Sequence, residues 1–468
     1  MPRIRTEATF GRVAWLSVLA GTSFAIACFI SVAVARWQNN QVSAFDLAFF
    51  DQIIWNTAHG RPFEASFIPY NFLGQHAEPI LLAFVPFYWL GAGPLFLTVT
   101  QNIAAGAAAI PLFAATRRCG LAIPVASAAV IAYLLNGYLH RGLEFDFHPE
   151  VMVALPAFSA AWAIAAGRRK TAVALALSTL LFKEDTVFIT LALAALMASS
   201  NFRREALVTA TLAIVYVVLV VLVVMPLARD GQPSDLLQRY GYLVGASDDA
   251  GLVKGLLREP WVLPQHLFAA GSLRIIVGFV FMTAPLALLN PRIAAFVVPA
   301  LMVSVLSSHA PQHALELHYA ASLIPILFLA AISAPSGILR ASPWPLATAF
   351  AAPAIVGFLL ISPFGPSHSS ATPPTAEHRS AVLAAVSLIP DGARVSAQSN
   401  LLARLSHRQA AYEFPLNAET SDWVVVDRYG HRSSQSIDAG FDAELAHLRT
   451  EWDVVFERDG VEVLRPRD

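Results

Sequence analysis

Long apolar runs recur along this chain, and the short joints between them are sorted by charge. The runs fall at roughly 13–35, 95–116, 119–140, 150–167, 171–182, 186–200, 206–228, 275–290, 293–307, 320–335 and 344–362. About 20 apolar residues cross a bilayer core, so the pattern reads as about eleven transmembrane helices. One set of joints carries Arg3 and Arg5, Arg117 and Arg118, Arg168, Arg169 and Lys170, Arg203 and Arg204, Arg292, and Arg340. The opposite set holds nearly all the His, Asp and Glu that could do chemistry. The positive-inside rule makes the basic set cytoplasmic. The N-terminus is then cytoplasmic, and an odd number of spans leaves the C-terminus outside. The first run is read as a retained helix: it is long enough to span and lacks a clear cleavage site before Arg36.

Only 13% of the 468 residues are charged, about half the share in a soluble domain. The net charge of −1 gives no ground for nucleic-acid binding. Cys28 and Cys119 fall in or beside apolar runs and read as core thiols rather than a disulfide or metal pair.

The organisation expected is a transmembrane domain over 1–364, with an outer loop at 36–94, and an extracytoplasmic α/β domain over 365–468. In the outer loop, 44–58 and 79–90 are too short or too polar to cross and suit helices at the membrane surface. The stretch 367–375 reads as a linker. Beyond it, 377–388 suggests a helix, 422–427 a buried strand, and Asp459-Gly460 the turn of a hairpin.

Ionisable residues in the outer joints are the candidates for chemistry. Asp46 could serve as a general base, although Ser43 and Asp46 also fit a capping box. Asp51 lies five residues on, about 140° around a helix. His76 and Glu78 close the same loop, with Glu78 suited to a helix start. Glu144, Asp146, His148 and Glu150 alternate with apolar residues, so an extended stretch would point them one way. Lys183-Glu184-Asp185 sits between apolar runs too short to span, which predicts a recessed turn. Charges at such depth are costly unless paired or in a wet cavity. His309, His313 and Glu316 could share a helical face, although Pro311 breaks that register. His318 and Tyr319 top the next run. Arg141, Arg239, Lys254, Arg258 and Arg274 are outer cations able to clamp a phosphate. No spacing is diagnostic of a metal; no cofactor is expected, and a divalent ion is left open.

Phe45-Asp46-Leu47, Phe50-Asp51-Gln52, Trp55-Asn56 and Gly60-Arg61-Pro62 together resemble the opening of the membrane proteins grouped as domain of unknown function 2079. Phe147-His148-Pro149-Glu150, Lys183-Glu184-Asp185, and His318-Tyr319 with Pro325 continue the resemblance. So do Ile389-Pro390, Val395-Ser396-Ala397-Gln398 and Leu405-Ser406-His407-Arg408. His76-Ala77-Glu78 departs from the His-Phe-Ser-like phrase expected there. That family in turn resembles the type C (GT-C) glycosyltransferases. The resemblance implies surface helices and a catalytic carboxylate in the first outer loop, with Asp46 at the matching place. It also implies a polyprenyl-phosphate sugar as donor, its phosphate meeting Lys183 or an outer Arg. A cell-envelope glycan, lipid or protein would be the acceptor, and the remaining named residues would bind substrate. The site would open to the lipid bilayer at the outer face of the cytoplasmic membrane. Two alternatives stand beside it: a lipid or solute transporter or flippase, which recessed charges also suit, and a non-catalytic membrane scaffold.

Overall fold

A computed structural model describes residues 2–334, 342–368, 372–433, 437 and 440–467. Arg340 and part of the linker at 367–375 lie outside the described residues. Packing divides the chain into two units. The first comprises Met1–Phe29, Gln75–Glu78 and Gln101–Ser370; the second comprises Ile30–Gly74, Pro79–Thr100 and Ala371–Asp468.

The chain is a multi-pass helical membrane protein. Among the described residues, five helices are long and apolar enough to cross: Gly11–Gln38, Pro94–Arg118, Ile123–Glu144, Arg203–Arg229 and Pro343–Ile361. Four further apolar helices are shorter: Pro149–Ala165, Ala270–Thr283, Pro291–Val305 and Leu323–Ile332. Several expected spans are broken for local reasons. The run at 275–290 ends as α-helix at Thr283, and a 3₁₀ turn follows at Pro285–Leu289, because proline cannot continue the ladder. The run at 171–182 leaves the α form after Ser178 and tightens into 3₁₀ at Thr179–Leu181. Both cysteines are free and exposed rather than in the core.

The core of the first unit is the helix Leu323–Ile332, in which every residue is buried. A helix apolar on all sides suits such a position. Phe328 meets the rings of Tyr133 and Phe158 edge-on at 5.7 and 6.0 Å. Gly137 shows how closely helices approach here. A Cβ there would lie 2.8 Å from the carbonyl of Gly357, so no larger residue fits without a shift.

In the second unit, the segment after the first long helix forms a π-helical turn at Ala44–Ala48 that runs into the α-helix Phe49–Ala58. Phe49 packs against Phe45, Phe67 and Phe72, with centroids 5.2–5.5 Å apart. The stretch at 79–90 is a 3₁₀ turn at Pro79–Ala83 and a short helix at Val85–Tyr88. Phe87, Trp89 and Leu90 are exposed around it.

The C-terminal part of this unit carries a five-stranded sheet. Its strands are β1 (Val395–Ala397), β2 (Ala411–Glu413), β3 (Trp423–Asp427), β4 (Trp452–Arg458) and β5 (Val461–Pro466). The spatial order is β2-β1-β3-β5-β4. β2, β1 and β3 run parallel, whereas β5 lies antiparallel to β3 and β4. The helix expected at 377–388 forms at Ala376–Ser387. The hairpin turns at Asp459 and Gly460, both with positive φ, as a two-residue turn of this kind requires. Phe414, Val424, Val426, Phe441, Leu448 and Leu464 form the core behind the sheet.

The segment before Gly74 and the C-terminal domain interlock through polar contacts. Gln52 Nε2 donates to the carbonyl of Arg408 at 2.9 Å. Ser66 Oγ donates to the carbonyl of Ala411 and accepts from its amide, which covers the edge strand β2. Arg404 donates to Asn40 Oδ1 and to the carbonyl of Trp37.

Candidate functional site

The Lys183-Glu184-Asp185 turn is built by threonines. Thr186 Oγ1 donates to the carbonyls of Thr179 and Lys183, and Thr179 bonds Thr190 at 2.7 Å. These bonds satisfy backbone that the broken helix leaves open. They hold Lys183 extended and start a 3₁₀ turn at Glu184–Thr186. The turn therefore projects three charges from one short stretch into the interior of the first unit.

Lys183 Nζ donates to Glu150 Oε1 at 2.9 Å, with both side chains largely buried. His76 Nδ1 meets Glu184 Oε1 at 2.9 Å, and the amide of Ala77 donates to Glu184 Oε2 at 3.0 Å. Ser322 Oγ donates to Asp185 Oδ2. Ala77 packs against Val220 and Met225, which seats the 75–78 stretch on the helix Arg203–Arg229. Glu78 beside it is fully buried.

Four carboxylates, those of Glu78, Glu150, Glu184 and Asp185, thus surround one ammonium. Burial disfavours the charge of Lys183, but the carboxylates outweigh burial and raise its proton affinity. Burial pushes Glu78 well above the usual carboxylate range, and repulsion from Glu150 adds to it. Burial also lifts Asp185, to about 6 despite the attraction of Lys183. Glu184 goes the other way, to about 2, because the charge and hydrogen bond of His76 outweigh burial.

Several buried atoms here have no hydrogen-bond partner among the described residues. They are both oxygens of Glu78, Glu150 Oε2, Asp185 Oδ1, His318 Nδ1 and the hydroxyl of Tyr216. An unmatched buried polar group costs about 1–3 kcal/mol, so such a concentration marks a place where polar atoms of a ligand would be met. The arrangement suits neutral hydroxyl groups or a cation. It does not suit a phosphate at Lys183, whose charge is already claimed by carboxylates.

Beside this cage lie two stacked imidazoles. His148 and His318 have ring centroids 3.5 Å apart at 18°, with Phe145 stacked on both. His318 Nε2 is 3.7 Å from Glu150 Oε1. Its proton affinity is well below normal, first through burial and then through the charges of His148, Lys183, His76 and Arg239. Tyr319 packs on His318 at 4.2 Å. Arg239 bonds the amide oxygen of Gln312. No carboxylate among the described residues pairs with it, which makes it the cation at this end able to take an anion.

Two expectations of local geometry fail. Glu144 to Glu150 is not an extended run: Glu144 closes the helix Gly137–Glu144, Asp146 has positive φ, and a 3₁₀ turn begins at Pro149. His148 and Glu150 reach the cluster through these bends, while Asp146 is buried and its carbonyl accepts from Gln101 Nε2. His309, His313 and Glu316 do not share a helical face. The helix there covers only Ala310–His313, and Leu315 and Leu317 turn left-handed.

Gln101, fully buried, went unnoticed in the sequence. Its Oε1 accepts from the amide of His148 at 2.6 Å while its Nε2 holds the carbonyl of Asp146. It pins the backbone that presents His148. A glutamine in an apolar run was the available signal. Ser322 and Tyr216 were missed for the same reason.

Asp46 and Asp51 belong to the second unit. Asp46 is partly buried in the Ala44–Ala48 turn. The expected capping box does not form: Ser43 makes no side-chain cap, and its hydroxyl donates to the carbonyl of Phe45. Asp51 is fully buried, and its carboxylate accepts from Tyr88 at 2.5 Å, Ser406 at 2.6 Å and His407 Nε2 at 3.1 Å.

Residues 36–463 match the family described as "Predicted membrane protein (DUF2079)". No curated protein matches the sequence. Among solved structures, the chain is similar to ArnT from Cupriavidus metallidurans in the apo state. That match has a TM-score of 0.47 at 12% identity and covers 95% of this chain and 98% of that one. For the same protein bound to undecaprenyl phosphate the values are 0.45, 13%, 94% and 97%. For the Archaeoglobus fulgidus oligosaccharyltransferase complex with Zn and sulfate they are 0.41, 12%, 86% and 68%.

Proposed function

Since the chain belongs to the DUF2079 family of predicted membrane proteins, we propose that it is a membrane glycosyltransferase using a polyprenyl-phosphate sugar. Transfer is to a hydroxyl acceptor of the cell envelope, at the outer face of the cytoplasmic membrane. The observation that carries this reading is the cage around Lys183, where buried oxygens of Glu78, Glu150 and Asp185 lack partners. A sugar brings several hydroxyl donors, each able to meet one such oxygen. The raised proton affinity of Glu78 makes it a donor to a sugar oxygen as well as an acceptor.

The donor phosphate is assigned to Arg239 rather than Lys183, because a guanidinium without a carboxylate partner suits phosphate. The base is assigned to Asp46 from the sequence resemblance. The acceptor oxygen attacks the anomeric carbon, and its proton passes to the Asp46 carboxylate. The bond from that carbon to the phosphate oxygen breaks, and polyprenyl phosphate leaves with the electron pair. A single displacement of this kind inverts the anomeric centre.

The test uses the full-length protein in phospholipid vesicles with radiolabelled undecaprenyl-phosphate glucose, mannose and arabinose, and native envelope lipid as acceptor. Asp46→Asn is expected to lose roughly 10²–10⁴-fold in rate. Arg239→Gln should raise KM with kcat little changed, as a lost ground-state contact does. Full activity in Asp46→Asn removes the base. No transfer from any of these donors by the wild type overturns the reading.

A further inference from the structure

We infer that Ser399 of the C-terminal domain is a positioning residue for Asp46, capping from 355 positions away the helical turn that carries it. The inference rests on the reading of Asp46 as the base. A helix start exposes amides that a neighbouring Ser, Thr, Asp or Asn normally satisfies. Here Ser43 is in the right place but spends its hydroxyl on Phe45. The amide of Ala44 donates instead to Ser399 Oγ at 3.0 Å. Ala44 is fully buried and Ser399 nearly so, so water does not replace this bond. Ser399 also lies close enough to the Glu413 carboxyl to favour its charge.

The place of these residues in the sheet gives the inference its weight. Ser399 follows β1 by two residues, Glu413 ends β2 and Asp427 ends β3. These are the carboxyl ends of the three parallel strands, the edge where open α/β sheets hold their ligands. In this protein that edge receives its own first outer segment. Asn400 Nδ2 and His378 Nε2 bind the Asp427 carboxylate, and Ser399 binds Ala44. The domain thus uses a ligand-binding geometry to fix the segment carrying Asp46. The role is the orientation of a reacting group, for which small misplacements cost roughly 10²-fold in rate.

The experiment uses full-length protein in phospholipid nanodiscs. Hydrogen–deuterium exchange is followed over peptides covering 43–49, 395–397 and 423–427, beside the vesicle transfer assay. Ser399→Ala is expected to speed exchange over 43–49 about tenfold, the scale of a lost cap, with the strand peptides unchanged. It should lower kcat by roughly 10²-fold with KM within about twofold. Ser399→Thr, which keeps the acceptor oxygen, should restore both. If Ser399→Ala also loosens the strands, Ser399→Cys decides, since it keeps the volume with a poor acceptor. Unchanged exchange over 43–49 overturns the inference, as does faster exchange with kcat intact. If the wild type transfers no sugar, the glycosyltransferase reading falls, and the exchange data alone then decide whether Ser399 holds the turn.

Discussion

Replacing Lys183 by Met separates a charge that holds the cage from a charge waiting for phosphate. In the first case Glu150 loses an ammonium 2.9 Å away while staying almost fully buried. The nearest remaining basic group is His318 Nε2 at 3.7 Å, whose charge burial disfavours. Breaking a buried pair by removing one partner costs about 3–5 kcal/mol. Unfolding entropy near 2.1 cal/mol/K per residue comes to about 1 kcal/mol/K over 468 residues. Lys183→Met should therefore lower Tm by about 3–5 °C, read by tryptophan fluorescence in detergent. Coupling between contacting residues is about 0.5–3 kcal/mol. Lys183→Met combined with Glu150→Gln should therefore melt about 0.5–3 °C above Lys183→Met alone, since the stranded charge is gone. An unchanged Tm in Lys183→Met would refute this and return the lysine to the role of a free phosphate ligand.

Two further outcomes follow from the charges. Burial lifts Asp185 to about 6, so between about pH 4 and 6 the native state holds a proton that the unfolded chain lacks, and stability falls as pH rises through that window. Asp185→Asn, neutral throughout, should raise Tm relative to wild type at pH 7 and leave it unchanged at pH 4. Glu462 is buried between Arg428 and Arg449, which approach it to 2.6 Å. Glu462→Leu removes the only carboxylate partner shown for Arg449 among the described residues and leaves Arg428 with Glu457 at 3.6 Å, for a cost of about 1 kcal/mol, visible as faster proteolysis within 372–467.

What could be read from the sequence followed length and period. Runs of at least 19 residues recur as apolar stretches long enough to cross, the one at 119–140 with a break at Leu135–Asn136, and the Asp459-Gly460 hairpin forms because its turn chemistry is local. β1 and β2 are three residues each, too short to show alternation, so of the parallel half of the sheet only β3, at 423–427, is legible. Asp146 and Leu315 turn left-handed without glycine to announce it, and that is why the alternation at 144–150 and the helical face at 309–316 misled. Lys183 announced itself because charge between apolar runs is expensive. Gln101 did not, since a neutral amide inside an apolar run carries no such mark.

Asp51 shows what a list of motifs omits. Phe50-Asp51-Gln52 and Leu405-Ser406-His407-Arg408 read as separate phrases, one near each end of the chain, and Asp51 as a second carboxylate for substrate. In the structure each phrase is the other's partner: Asp51 accepts from Ser406 and His407, and Gln52 donates to the carbonyl of Arg408. With Tyr88 as a third donor, the Asp51 carboxylate is committed to joining the outer segment to the domain. A buried carboxylate that already accepts from three donors has little left for substrate. Asp51 thus holds the segment, while the base of the proposed reaction is assigned to Asp46, on the turn whose first amide Ser399 holds.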